Sequence, residues 1–228
     1  MTGKTHRVGG MLCVLGGYTI LEHKGMLLGN VNPLVQLMVM YPFAIYGSVI
    51  SDLDHNWHSA PSKDIFSFII NKILHLSSGI RDRLTSKSII GKFLAVFDAN
   101  HRSWQTHSGL LFIIMSLLFI NIINSPVNNA NDAIVRLILV GLILGAISHL
   151  FLDMLTPEGI WCISLYCFGR LFNINSITKV SLVPDKAFFK TGGTWENIVR
   201  NIMWVFCLIL ILRVLVSLSP YAISFIKS

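Results

Sequence analysis

Four stretches of this chain run almost without charge for the length of a membrane-crossing helix: residues 34–50, 108–123, 135–155 and 202–218. A lipid core about 30 Å thick takes roughly 20 apolar residues in helical form. Inside it the backbone must satisfy its own hydrogen bonds, which restricts a spanning segment of this kind to a helix. Arg213 interrupts the fourth stretch near its end, where a long side chain can snorkel to the interface. A fifth stretch, 8–21, is shorter and rich in glycine, fitting either a short span or a buried helix. Composition agrees, with 53% hydrophobic and only 13% charged residues, about half the charge of a soluble domain. Mean hydropathy is +0.65. The expected fold is all-α: a multi-pass membrane helical bundle of about five spans, forming a single domain over residues 1–228.

Two segments break the pattern. Residues 64–97 mix Lys72, Arg81, Arg83, Lys87 and Lys92 with Ile65, Phe66, Ile69, Ile70, Ile73 and Leu74 at helical spacing. This predicts an amphipathic helix, either in the membrane interface or covering the bundle. Residues 159–181 are apolar but broken by Gly169, Arg170 and asparagines, as in a short hairpin or re-entrant piece. With five spans, the N-terminus and the 51–107 and 156–200 loops share one side, which then holds 14 of the 18 Lys and Arg residues. The positive-inside rule makes that side cytoplasmic. The net charge of +7 is thereby explained without nucleic acid, for which no motif is present; anionic lipid is the partner it fits. Lys4 and Arg7 before an apolar run resemble a signal peptide, but no small-residue cleavage site follows, so an uncleaved N-terminus is expected. Cys13, Cys162, Cys167 and Cys207 form no CxxC pair and are expected as thiols.

On this map the histidines and aspartates gather. Asp52 and Asp54 follow the second span, His101 and His107 precede the third, and His6 opens the first. His149 and Asp153, spaced i, i+4, share one helix face near the cytoplasmic end of the fourth span. An Asp at a helix centre costs about 2.5–3.5 kcal/mol on insertion scales, less near an end, and crowded carboxylates repel. A divalent cation resolves both problems, and mixed imidazole and carboxylate donors suit Zn, with Mn or Fe as alternatives. Each residue also has a plainer reading. His6 fits a cap or interface residue, Asp52 and Asp54 fit helix ends, and Arg102 fits a positive-inside residue or a lipid-phosphate contact. His55, His58, His23 and His75 fit ordinary loop or structural positions.

The same residues resemble a known family, the bacterial inner-membrane-associated metal-dependent hydrolases called YdjM-like and also described as LexA-binding. The matching pieces are Thr5-His6, Ser51-Asp52-Leu53-Asp54-His55, His101-Arg102 with Thr106-His107-Ser108, the run from Ser148-His149 through Asp153 to Thr156-Pro157-Glu158-Gly159, and Thr191-Gly192-Gly193-Thr194-Trp195-Glu196. Ser51 stands where the family often has proline, and Ser103-Trp104-Gln105 lengthens the His-Arg segment by one residue. A looser similarity, in the mix of His and Asp on helices, links the chain to soluble zinc phospholipases C and P1-type nucleases.

The resemblance implies a hydrolase with one or two divalent ions, zinc foremost, held by His6, Asp52, Asp54, His107, His149 and Asp153. A metal lowers the pKa of bound water. Glu196 and His101 are then candidates for proton transfer and Arg102 for holding a phosphate oxygen. Glu196 equally fits the first turn of the last helix, where a carboxylate favours the dipole. The expected substrate is a phospholipid or lipid-linked phosphoester at the cytoplasmic face of the bacterial inner membrane. Two other classes compete. A non-catalytic membrane regulator would use a closed structural site, and no docking segment for a protein partner is evident. A cation transporter would spread ionisable residues across the membrane, whereas here they gather at one face.

Overall fold

The computed structural model describes residues 1–28, 31–54, 65, 67–69, 71–72, 107–156, 159–161, 179–182 and 192–227. Its helices are α1 (Gly3–His23), α2 (Pro33–Ile50), α3 (Gly109–Asn124), α4 (Ala130–Met154) and α5 (Thr194–Lys227). A 3-10 turn, Ser51–Asp54, extends α2. An antiparallel ladder of two residues per strand joins β1 (Ile160–Trp161) to β2 (Lys179–Val180), pairing Ile160 with Val180 and Trp161 with Lys179. This ladder closes the base of the 159–181 segment, whose interior lies outside the described residues.

The helix starts follow local chemistry. The Asn32 side chain accepts from the Leu34 N–H at 2.9 Å, with Pro33 at the first helical position. Ser108 accepts from the Leu111 N–H at 3.1 Å to cap α3, and Asn129 accepts from the Asp132 N–H at 2.9 Å to cap α4. The Asn129 cap puts the start of α4 at Ala130, ahead of the apolar run beginning at 135. α1 also outruns its apolar stretch, continuing from Gly3 to His23.

Among the described residues, three helices suit a membrane crossing by length and composition: α2, α4 and α5 through Leu218. α3 is a shorter apolar helix. Burial is inverted relative to a soluble protein. Ile113, Leu117 and Ile120 on α3 and Val205, Leu208, Leu212 and Val216 on α5 are exposed, as side chains facing lipid would be. Of the 64–97 segment, only residues 65, 67–69, 71 and 72 are described, and they are helical. Ser67 and Asn71 point inward and Ile65, Phe68 and Ile69 outward. The Tyr46 and Ser67 hydroxyls pair at 3.1 Å, docking this piece on α2.

α2 and α4 pack most extensively. They run parallel and in step. A Cβ on Gly141 would collide with the Met40 carbonyl, and one on Gly145 with the Ala44 carbonyl. One turn on, His149 takes the place of the next small residue, and its ring meets the Ser48 carbonyl. Backbones approach this closely only where side chains are minimal. The stripe 141, 145, 149, 153 on α4 therefore lies along the stripe 40, 44, 48, 52 on α2.

Candidate metal centre

The α2–α4 stripes end in the ionisable residues. At Ser51 the backbone tightens from α to 3-10, and the last carbonyls of a helix lack partners within it. One of these is used: His149 Nδ1–H donates to the Ser48 carbonyl at 2.7 Å. That bond leaves Nε2 as the ring's outward atom. Metal-binding histidines are oriented in this way, by a backbone or carboxylate acceptor on the other nitrogen.

His149 Nε2 faces His107 Nε2 at 3.1 Å and Asp153 Oδ2 at 3.2 Å, while His107 Nε2 is itself 3.2 Å from Asp153 Oδ2. Asp52 Oδ1 lies 3.7 Å from each of these imidazole nitrogens. On the far side, His6 stacks on His149 with ring centroids 3.9 Å apart. Its Nε2 is 3.5 Å from Asp153 Oδ1, an oxygen that the Met1 nitrogen also approaches at 3.5 Å. His6, His107, His149 and Asp153 are buried; Asp52, with its side chain 15% exposed, is the more open member.

The electrostatics favour a cation. With Nδ1 donating to Ser48, a neutral His149 presents a lone pair at Nε2, aimed at a carboxylate oxygen and at a second imidazole. Charging both rings instead would set two imidazolium N–H groups against each other, nitrogen to nitrogen, at 3.1 Å. The C-terminal ends of α2 and α4, the negative ends of their dipoles, both point here. Burial would push the Asp52 carboxyl up, and only a positive charge beside it, on the His149 and His107 rings or on a cation between them, holds it down. Around a four-coordinate zinc with bonds of about 2.0–2.2 Å, donors sit roughly 3.3–3.6 Å apart. The spacings of His107 and His149 from each other and from Asp153 and Asp52, from 3.1 to 3.7 Å, bracket that edge. The donor set fits a divalent ion.

A sequence model described as YdjM inner membrane protein matches residues 1–223. The chain belongs to that family. The match spans all the motifs quoted above, and the family's description agrees with the apolar helices in making this a membrane protein. No curated protein and no solved structure matches the chain.

Of the residues singled out from sequence, His6, His149 and Asp153 form one group and Asp52, His107 and His149 another, with His149 common to both. Asp54 lies in the 3-10 turn, with its side chain outside the described residues. His101 and Arg102 also lie outside the described residues. Glu196 is buried in the first turn of α5 and occupied. Its Oε1 accepts from the Thr2 N–H and hydroxyl, both at 2.6 Å, and from the Thr5 hydroxyl. Its Oε2 accepts from the Gly192 N–H at 2.7 Å. Those bonds fasten the first turn of α1, which carries His6, to the start of α5. This geometry fits a positioning role better than proton transfer.

The sequence reading missed the Ser48 carbonyl, the Thr2–Thr5 tie and the glycine stripe that aims His149. For the last, the spacing Gly141-x-x-x-Gly145 four residues before His149 was the available signal.

Proposed function

We propose that this cluster is the metal centre of a membrane-embedded hydrolase that cleaves a phosphoester, a phospholipid or lipid-linked phosphate, at the cytoplasmic face. The observation that carries the reading is the convergence of His107, His149, Asp153 and Asp52, from separate elements, at ligand spacing with His149 pinned by a backbone carbonyl. In this reading α1 and α3 complete five spans, and the basic loops keep the cluster on the cytoplasmic side.

The residues divide the work. His107 and His149 offer Nε2, Asp153 and Asp52 offer carboxylate oxygens, and the Ser48 carbonyl fixes the His149 ring. A divalent ion held there supplies Lewis acidity, lowering the pKa of a water and drawing charge from a phosphoryl oxygen. Asp52, the more open member, marks the side from which substrate approaches. His101 and Arg102 belong to this proposal as the proton-transfer group and the phosphate contact. The lipid class of substrate is favoured by the outward Ile65, Phe68 and Ile69 on the piece docked to Tyr46, an exposed apolar face suited to lipid.

One observation supports a second reading. The near-complete burial of His6, His107, His149 and Asp153 is what a closed structural site shows, and a membrane regulator would need no more. Turnover separates the two. Purified protein is assayed against phospholipid, lipid-linked and nucleotide phosphoesters with Zn, Mn or Mg. Hydrolysis of a lipid phosphoester that His149→Ala abolishes supports the enzyme; activity no higher than that variant's across the panel leaves the regulator.

A further inference from the structure

The five clustered side chains do not fit around a single ion. By distance alone His6, His149 and Asp153 qualify as one ligand group, their donor atoms lying within 4.8 Å of one another. Direction forbids it. An imidazole lone pair lies in the plane of its ring, so an ion sits in the planes of all its histidine ligands. The His6 and His149 rings are stacked, with centroids 3.9 Å apart and planes only 20° from parallel. Planes so arranged meet far beyond bonding distance of either nitrogen. His107 and His149 are different: their planes are inclined at 64° and their Nε2 atoms converge at 3.1 Å. His149 therefore serves the ion that His107 serves. With Nδ1 committed to Ser48, it has no second lone pair to share.

His6 is left with a role to fill. It is fully buried, and neither ring nitrogen makes a hydrogen bond, a costly state for a polar ring. Its Nε2 faces Asp153 Oδ1, whereas His107 and His149 face Oδ2. The two oxygens of one carboxylate thus point to two different sets of imidazoles.

The geometry points to a centre for two divalent cations bridged by the Asp153 carboxylate, one held by His107, His149, Asp52 and Oδ2 and the other by His6 and Oδ1. This deepens the metal reading above and rests on it. The first position is nearly complete in protein donors, while the second has two side-chain donors and the Met1 nitrogen 3.5 Å from the same Oδ1. The second position is accordingly the weaker and the more exchangeable.

The test is a count of ions on the full chain in detergent, followed by a Mn2+ titration read by electron paramagnetic resonance. Wild type is expected to bind two ions per chain, the second more weakly. At saturation the spectrum should be the broadened one of a coupled pair, not the hyperfine-split one of an isolated ion. His6→Ala should bind one ion and give the isolated spectrum, with His6→Gln as a second variant that keeps the side-chain bulk. The wild-type titration needs no variant, so misfolding of either leaves it intact. A single ion in wild type, lost in His149→Ala, overturns the bridged pair and leaves the metal reading standing. Two ions retained in His6→Ala also overturn it. No bound ion in wild type removes both.

Discussion

The two ends of the α2–α4 pair bury polar groups in opposite ways. At the end where α2 begins, Gln36 is buried, its Oε1 accepting from the Leu28 N–H at 3.0 Å and its Nε2 donating to the Leu28 and Val31 carbonyls at 2.8 Å each. Nearby, Arg136 donates to the Ser125 carbonyl at 3.1 Å and the Ile123 carbonyl at 2.5 Å, closing the end of α3. Each of these contacts sets a donor against an acceptor. At the other end, imidazole nitrogens and carboxylate oxygens confront each other at similar distances. The Gln36 and Arg136 contacts are complete as protein; those at the second end are the ones the proposed cation would complete. Burial of polar groups alone does not separate structural from functional ones, but the match of donors to acceptors does.

The contrast can be broken most directly by removing both α4 donors. His149→Ala with Asp153→Ala should lose all bound Zn or Mn, read by metal analysis of purified protein. Chelation should lower the unfolding temperature of wild type, since a ligand at a hundred times its Kd stabilises by about 2.7 kcal/mol, and should leave the double variant unmoved. A wild type indifferent to chelator would make the two ends alike. Glu196→Ala is next. It strips the Thr2 and Thr5 groups of their acceptor and should cost about 1.5–3 kcal/mol, as loss of a charged hydrogen-bond partner does. It should also weaken cation binding at the His6 side, with Glu196→Gln recovering part of both. Unchanged binding in Glu196→Ala would detach Glu196 from the site. At the opposite end Gln36→Leu orphans two carbonyls and an N–H, and should cost about 1–3 kcal/mol in thermal unfolding with metal content intact. The smallest effect belongs to Asn32→Ala, about 1 kcal/mol from a lost helix cap, again without change in bound metal.

Much of this was legible beforehand because membrane physics writes itself into composition. Apolar runs long enough to cross a bilayer have few other uses, and His149 with Asp153 on such a run stood out for the same reason. The cluster followed once the spans were laid side by side. Helix limits were less legible, since caps such as Asn129 set the start of α4 while hydropathy began only later. Glu196 was readable as a first-turn carboxylate, but not as a tie to Thr2 and Thr5, because hydrogen bonds between residues almost two hundred positions apart leave no local pattern. The Ser48 carbonyl was hidden for a different reason. Backbone atoms carry no residue identity, and only the parallel packing of α2 on α4 shows which of them meets His149.

That parallel packing also fixes where the site lies along the bilayer normal. Close backbone approach at Gly141 and Gly145 sets the stride, and the donors occupy the next turns of both helices together. Depth is thus a property of helix length, not of the loops. Adding four residues to α2 and α4 after their close-packed turns would carry Asp52, His149 and Asp153 about 6 Å along the helix axes, at 1.5 Å per residue, and only a matching change in α1 and α3 would bring His6 and His107 with them. The depth of the Asp52, His149 and Asp153 cluster is therefore set by the length of the two helices that carry it.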